Sequence, residues 1–189
     1  MQSAMIVAEK KRKENICEYL LYMWQVEDLI RAADCKPERV EELIVSCYRT
    51  DEETMRRIRR WYTELIDMML IEGKKEKGHL DINRVLAMQL EELHRELLKS
   101  SAQGLYQSVY YKTLPAIVQL RSKGAAAENE GEVETALNAL YGAVTMRLAG
   151  KSLGEDTLAS LKQISTMLAM LADAYNKKDR ENTEDEADL

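Results

Sequence analysis

The sequence predicts an all-α fold, a mainly antiparallel bundle of about seven helices, from three observations. Apolar residues recur at steps of three and four over nearly the whole of residues 9–178, the spacing of a helix packed on one face. Only 8 Gly and 2 Pro interrupt the 189 residues, so few positions force a helix to end. With 10 Met and no Phe, the core is expected to be filled by Leu and Met. A chain of this length buries enough surface to fold without metals or disulfides.

The first three helices are delimited by a break, a proline and a cap. The first is predicted over residues 9–34, because its apolar row stops near Asp34. Pro37 suits the first turn of a short second helix. Thr50 and Glu53 have the spacing of a capping box, which predicts the start of a third helix. Gly78 is expected to end that helix.

The remaining four helices are bounded by similar signals. Asp81 is expected to cap a fourth helix that runs to Ser100. Pro115 is expected to kink or split the fifth helix, because proline removes one helical hydrogen bond. The sixth helix ends at Gly150 and has a predicted core row of Val133, Leu137, Leu140, Val144 and Leu148. A second capping box at Ser152–Glu155 opens the seventh helix, which is predicted to end near Lys178.

The charge distribution separates a body from a tail. Residues 179–189 hold six acidic groups and one basic group, so they carry -5 of the net charge of -6. The other residues hold 26 basic and 27 acidic groups, which provides no global field to attract nucleic acid or an anionic membrane. We therefore predict one helical domain over residues 1–178, with a possible internal boundary at 124–131, and a disordered acidic tail over 179–189.

The cysteines and the apolar runs predict a cytoplasmic protein. Cys17, Cys35 and Cys47 form no CxxC pair, so they are interpreted as small buried or half-buried thiols in a reducing compartment. The apolar stretch at residues 5–8 precedes a charged run, which is the reverse of a signal peptide. The longest apolar runs fall well short of the roughly 18 residues typical of a membrane span.

Two stretches have the Glu-x-x-His spacing of di-iron helices. They are Glu91 with His94 and Glu76 with His79. With Leu93 at the centre of its helix's buried stripe, His94 lies about 100° and Glu91 about 160° away, so that pair is expected to point outward. The second pair straddles an expected helix end. We therefore predict no metal and no cofactor.

An acidic pattern partly resembles that of the all-helical nucleoside triphosphate pyrophosphohydrolases. That resemblance implies carboxylates on two adjacent helices that hold magnesium, here Glu38, Glu41, Glu42, Glu64 and Asp67. The pattern departs from the family because Val45 stands where a third acid is expected. In addition, Glu64 and Asp67 lie opposite the predicted buried row of their helix. A magnesium-dependent enzyme is kept as the main alternative function.

The densest basic cluster raises nucleic-acid binding as a further alternative. It comprises Arg56, Arg57, Arg59 and Arg60 beside Trp61, the composition of many nucleic-acid surfaces. Acidic residues four positions away, such as Glu52, Glu53 and Glu64, can neutralise this helix face. Binding to nucleic acid is therefore not expected.

Glu27 is unusual because it falls on a helix that is apolar over most of its circumference. A buried carboxylate needs a partner or a raised pKa. Arg31, four residues on, is the predicted partner.

The segment Met5–Arg31, which begins Met-Ile-Val-Ala-Glu-Lys-Lys-Arg, resembles the opening of an uncharacterised family of small all-helical bacterial proteins, typical of anaerobic gut bacteria. The resemblance extends over most of the chain and stops before the acidic tail. It implies an all-helical fold and transfers no active site.

The leading hypothesis is an interaction or scaffolding protein without catalytic activity. The chain has no Ser-His-Asp set, phosphate loop or dinucleotide fingerprint. Met167, Met170 and Ala174 extend the apolar face of the last helix beyond its single predicted buried stripe. Gly142 has no side chain, so another helix can pack closely against the preceding helix at this position. These residues predict a homodimer through the last two helices, although the chain's own helices could equally cover them. Another protein partner stays possible.

Overall fold

The structure of the protein, a computed structural model, describes residues 3–122 and 130–187, with residues 182–187 as backbone only. The described residues form helices and no strands, which confirms the predicted all-α class. The α-helices are α1 (Ala4–Glu14), α2 (Ile16–Ala32), α3 (Pro37–Leu43), α4 (Glu52–Ile71), α5 (Asp81–Lys99), α6 (Gly104–Ser122), α7 (Glu132–Leu148) and α8 (Glu155–Ala187). Short 3₁₀ turns at Val45–Cys47 and Ser101–Gln103 follow α3 and α5.

The described residues divide into two compact units. The first contains the chain up to Glu14 and then Glu18–Val85, and the second contains Asn15–Cys17 and the described residues from Leu86 onward. The internal boundary predicted at 124–131 falls mainly on residues 123–129, which lie outside the described part of the chain.

The predicted first helix is divided in two. α1 ends at Glu14 and α2 begins at Ile16, with Asn15 between them. Asn is a weak helix former because its side chain competes for backbone hydrogen bonds, which accounts for the division. In the first unit α1 contacts α4, and its Ala4 amide donates to the Tyr48 hydroxyl at 3.2 Å.

The cap of α4 is Asp51, one residue later than the predicted Thr50. The Asp51 carboxylate accepts from the Thr54 amide at 2.9 Å and from the Thr54 hydroxyl at 2.7 Å. A carboxylate suits this position better than a hydroxyl because it also opposes the positive end of the helix. α4 ends at Ile71, before the predicted Gly78, because Gly73 adopts a φ of +66° that closes the helix.

The Asp51 cap predicts a specific weakness in acid. Its hydrogen bonds from Thr54 lower the pKa of Asp51 to about 2. Because the pKa is lower in the folded state, the ionised cap contributes its full stabilisation above about pH 4, near the pKa of the unfolded state. That contribution is lost as the pH falls towards 2. We expect Asp51→Asn, which caps without titrating, to flatten the fall of the unfolding free energy between about pH 4 and pH 2.

Urea denaturation at several acidic pH values measures this effect. The exposed Asp67 on the same helix offers the matched control, Asp67→Asn, which should leave the pH dependence unchanged. If Asp51→Asn and the wild type lost stability in parallel, the cap would not be the acid-sensitive group.

The second unit packs α6, α7 and α8 against one another. Its fully buried residues include Ile117, Leu137, Ile164 and Leu171. Pro115 stays inside an unbroken α6, so it does not split the helix. Pro115 is exposed, which places the missing backbone hydrogen bond on the water-accessible side of the helix.

α8 differs from its predicted bounds at both ends. It begins at Glu155, with the Leu158 amide bonded to the Gly154 carbonyl, so the box starting at Ser152 does not cap it. It continues beyond Lys178 as far as Ala187, so the backbone of the predicted tail is helical up to that residue. No Gly or Pro interrupts residues 179–187, so nothing in that stretch ends the helix.

Candidate functional site

The outer end of the α7–α8 pair exposes apolar side chains. The first half of α7 is buried, with Val133, Ala136 and Leu137 inaccessible to solvent, whereas none of residues 138–150 is buried. Leu148, predicted to lie in the core row of this helix, is 76% exposed. Met146 and Leu158 are 39% and 44% exposed. Apolar surface gathered at one end of a unit marks a candidate interaction site.

A groove of about 290 Å³ follows α7 from Thr135 to Met146 and reaches this end of the second unit. Most of its lining is apolar and comes from three helices, with Leu120 of α6, Ala139 and Gly142 of α7, and Leu161 of α8 among its residues. A Cβ built on Gly142 meets no atom within 4 Å, so close packing inside the chain does not require this glycine. We name Gly142, Met146, Leu148, Leu153, Leu158 and Leu161 the tip surface.

The predicted dimer residues are only partly exposed. Met167 is fully buried, which corrects its predicted place on an outer apolar face. Met170 and Ala174 are half-buried. α8 is covered by both α6 and α7, so its buried stripe is wider than one neighbour would produce. Of the four predicted residues, Gly142 lies on the tip surface.

Four charged residues lie close to the tip surface along the chain. Arg147 is in the last turn of α7, Lys151 follows it, and Glu155 and Asp156 open α8. All four side chains are exposed. In the described part of the chain, none of them forms an ion pair. The tip therefore exposes two basic side chains and two acidic side chains to solvent.

The acidic residues of the pyrophosphohydrolase alternative do not converge on a metal site. Glu41 accepts hydrogen bonds from the Arg59 guanidinium at 3.0 and 3.1 Å, and Glu64 accepts from Arg60 at 2.7 Å. The other three candidates, Glu38, Glu42 and Asp67, are exposed. Across residues 3–122 and 130–187, no group of three or more His, Cys, Asp or Glu is placed to hold a metal ion.

Acidic partners surround the basic cluster as well. Arg60 forms the predicted i, i+4 pair with Glu64, whereas Arg57 lies 3.7 Å from Glu9 of α1 instead of pairing with its predicted neighbour. Arg59 bridges α4 to α3 through Glu41 and lies 3.9 Å from Glu52, the residue predicted to pair with Arg56. Trp61 is half-buried and meets the Tyr62 ring edge-on. Little of this basic charge is left unopposed for a phosphate backbone.

Glu27 is the centre of a buried polar cluster in the first unit. Its side chain is fully buried, and one carboxylate oxygen accepts from the Asn83 amide at 2.7 Å and the Leu80 backbone amide at 3.2 Å. The other oxygen lies 2.7 Å from Nδ1 of His79. Arg31, the predicted partner, lies farther away at 3.7 Å. Glu27 is thus held mainly by residues that lie 52 to 56 positions later in the sequence, and less by its neighbour on the same helix.

The cluster orients His79. A carboxylate only accepts hydrogen bonds, so Nδ1 of His79 carries a proton and, in the neutral ring, Nε2 holds the free lone pair. The ring stacks on Trp24, with centroids 4.2 Å apart and planes 16° from parallel. Arg31 donates to the backbone carbonyls of Lys74 and Gly78. Together these contacts fix the loop between α4 and α5 to α2.

A second histidine organises the start of α7 in the second unit. His94 is 1% exposed, which corrects the prediction that the Glu91–His94 pair points outward. Its Nδ1 lies 2.6 Å from the Tyr106 hydroxyl and its Nε2 lies 3.3 Å from a Glu132 oxygen. In the neutral ring, Nε2 donates to the carboxylate and the tyrosine donates to Nδ1. Burial raises the pKa of Tyr106, so this phenol remains a donor.

Glu91 caps the same helix. Its carboxylate accepts from the Val133 amide at 2.9 Å, because the cap residue Gly131 has no side chain to do so. A Cβ on Gly131 would lie 2.4 Å from that carboxylate, so the glycine makes room for Glu91. The pKa of Tyr110 is raised to about 12 by burial and by its hydrogen bond to Glu132. This arrangement joins α5, α6 and α7.

Two further sequence predictions concern thiols and membranes. Cys17 and Cys35 are buried as predicted, whereas Cys47 is exposed, because the 3₁₀ turn that holds it turns Val45 inward instead. None of these three cysteines forms a disulfide bond, and the Cys17 thiol donates to the Leu168 carbonyl at 3.5 Å. In the described residues, no helix combines the length and the apolarity that crossing a bilayer requires.

Comparison with known proteins identifies a family and no characterised relative. A search of curated proteins and a search of solved structures each return no match. A family model described as a domain of unknown function (DUF4924) matches residues 5–182, nearly the whole chain. This agrees with the resemblance of the segment Met5–Arg31 to an uncharacterised family. The chain therefore belongs to the family of the domain of unknown function DUF4924.

Proposed function

We propose that this protein is a cytoplasmic, non-catalytic interaction protein that self-associates through the tip surface. The observation that carries the proposal is the apolar groove of about 290 Å³ lined by α6, α7 and α8, together with the 76% exposure of Leu148 at the end of α7. Three cysteines that form no disulfide bond support a reducing compartment. Both histidines are bound to carboxylates that serve helix packing, so neither supports catalysis better than a structural role.

The composition of the tip surface suits a reversible contact. Burying one leucine side chain contributes about 1.5–3 kcal/mol, and association itself costs roughly 4–15 kcal/mol. A few leucines and a methionine can therefore offset that cost only when they are buried together. The groove that Gly142 helps to line provides a place for a leucine of the second copy.

Self-association predicts a selective effect of one charged substitution. We expect the wild type to form a concentration-dependent dimer and Leu148→Lys to weaken it at least ~10-fold, about 1.4 kcal/mol, because a lysine amine would have to be desolvated. Light scattering coupled to gel filtration measures the molar mass of each protein.

Leu105→Lys is the matched control, because Leu105 lies near an end of α6 in the same unit and is 75% exposed. It should dimerise like the wild type, and circular dichroism should show both variants folded. Equal masses for Leu148→Lys and Leu105→Lys would contradict the tip surface as the contact.

A further inference from the structure

We infer that two copies meet at the tip surface about a two-fold axis, with the end of α7 in one copy facing the start of α8 in the other. This inference rests on the proposed self-association and adds its geometry. The observation behind it is the order of opposite charges at the tip, with Arg147 in the last turn of α7, Lys151 between the helices, and Glu155 and Asp156 in the first turn of α8.

The four charged side chains of the tip lack ion-pair partners among the described residues. All four side chains are exposed, and none forms an ion pair in the part of the chain that the structure describes. Elsewhere in the second unit, Lys178 pairs with Glu96 at 2.7 Å and Arg95 pairs with the half-buried Glu91 at 3.3 Å. The tip thus keeps two basic and two acidic groups available beside its apolar residues.

Two-fold symmetry converts this pattern into a specific orientation. An interface of this kind places the same surface against itself, so every contact between unlike residues occurs twice. If α7 faced α7, the basic pairs of the two copies would lie together and repel. When α7 of one copy faces α8 of the other, Arg147 and Lys151 meet Glu155 and Asp156 at two places. Charge complementarity therefore selects a second copy of this chain in this orientation.

The same charges also have a role inside one chain. The experiment must distinguish this intramolecular role from the contact between two copies. Basic groups at the end of α7 and acidic groups at the start of α8 favour the helix dipoles. That effect changes the stability of each helix and does not depend on a second copy. Only an intermolecular role allows a defect in one protein to be rescued by the opposite defect in another.

Charge reversal in two complementary variants provides that test. Arg147→Glu with Lys151→Glu makes the tip wholly acidic, and Glu155→Lys with Asp156→Lys makes it wholly basic. We expect each variant alone to self-associate at least ~10-fold more weakly than the wild type, because like charges then oppose each other. A mixture of the two should form a heterodimer, measured by sedimentation with one partner fluorescently labelled.

The control reverses two exposed lysines elsewhere in the second unit, Lys99→Glu with Lys112→Glu, and should dimerise like the wild type. A wild type that stays monomeric would overturn the proposed function and this inference together. A dimeric wild type whose reversed variants dimerise equally well, or fail to form the heterodimer on mixing, would overturn the inference alone. Weakened homodimers with a restored heterodimer support it.

Discussion

Replacing Glu27 with leucine is expected to destabilise the first unit by about 3–5 kcal/mol, because removing one partner of a buried charge cluster leaves the others unpaired. Leucine would take away the acceptor for the Asn83 amide, the Leu80 backbone amide and Nδ1 of His79. It would also leave the guanidinium of Arg31 near an apolar group. Glu27→Gln keeps one oxygen and the shape, so it should cost less.

Tryptophan fluorescence during urea denaturation measures this effect selectively. Both tryptophans, Trp24 and Trp61, belong to the first unit, so the signal reports on that unit even if the two units unfold separately. Trp24 also stacks on His79 and should change its emission when the cluster is lost. An unchanged midpoint for Glu27→Leu would show that the cluster contributes no stability.

Replacing His94 with leucine is expected to destabilise the second unit by about 2–4 kcal/mol, because two buried polar partners lose their hydrogen bonds. These partners are the Tyr106 hydroxyl and the Glu132 carboxylate. Loss of the Glu132 contact should loosen the start of α7 first. Hydrogen exchange is the suitable measurement, since the second unit has no tryptophan.

Tyr106→Phe is the matched comparison for His94→Leu. It removes only the hydrogen bond to Nδ1 and keeps the ring that meets His94 edge-on, so it should cost about 0.5–1.5 kcal/mol. Amides near Val133 should exchange faster in His94→Leu than in Tyr106→Phe. Equal exchange in the wild type and both variants would contradict a role for His94 in holding α7.

Local patterns were enough to predict the helices but not their neighbours. The helical period, Pro37 at the start of α3 and Gly150 after α7 all act within a few residues, and the structure confirms them. The partners of Glu27, in contrast, follow it by 52 and 56 residues. Arg31 was predicted as the partner because an argument from helical spacing includes only residues on the same helix.

The facing directions of two residues were predicted wrongly for a related reason. His94 and Met167 were assigned outward positions because each helix was given a single buried stripe centred on a leucine. α8 is covered by two helices, and His94 is drawn inward by Tyr106 and Glu132. Conversely, the predicted core row of α7 ends halfway, because nothing in the described part of the chain covers Leu148. Which faces of a helix are buried depends on its packing against distant segments, and the spacing of apolar residues along one helix gives no information on that packing.

Hydrogen exchange of the wild type at two protein concentrations, well above and well below the dissociation constant, tests self-association through the tip surface most directly. We expect exchange at the higher concentration to slow in the second half of α7 and the start of α8, between Ala139 and Leu161. Exchange in the first unit should not change. Identical exchange at both concentrations, or protection confined to another region such as the exposed residues of α5, would contradict the tip surface as the site of self-association.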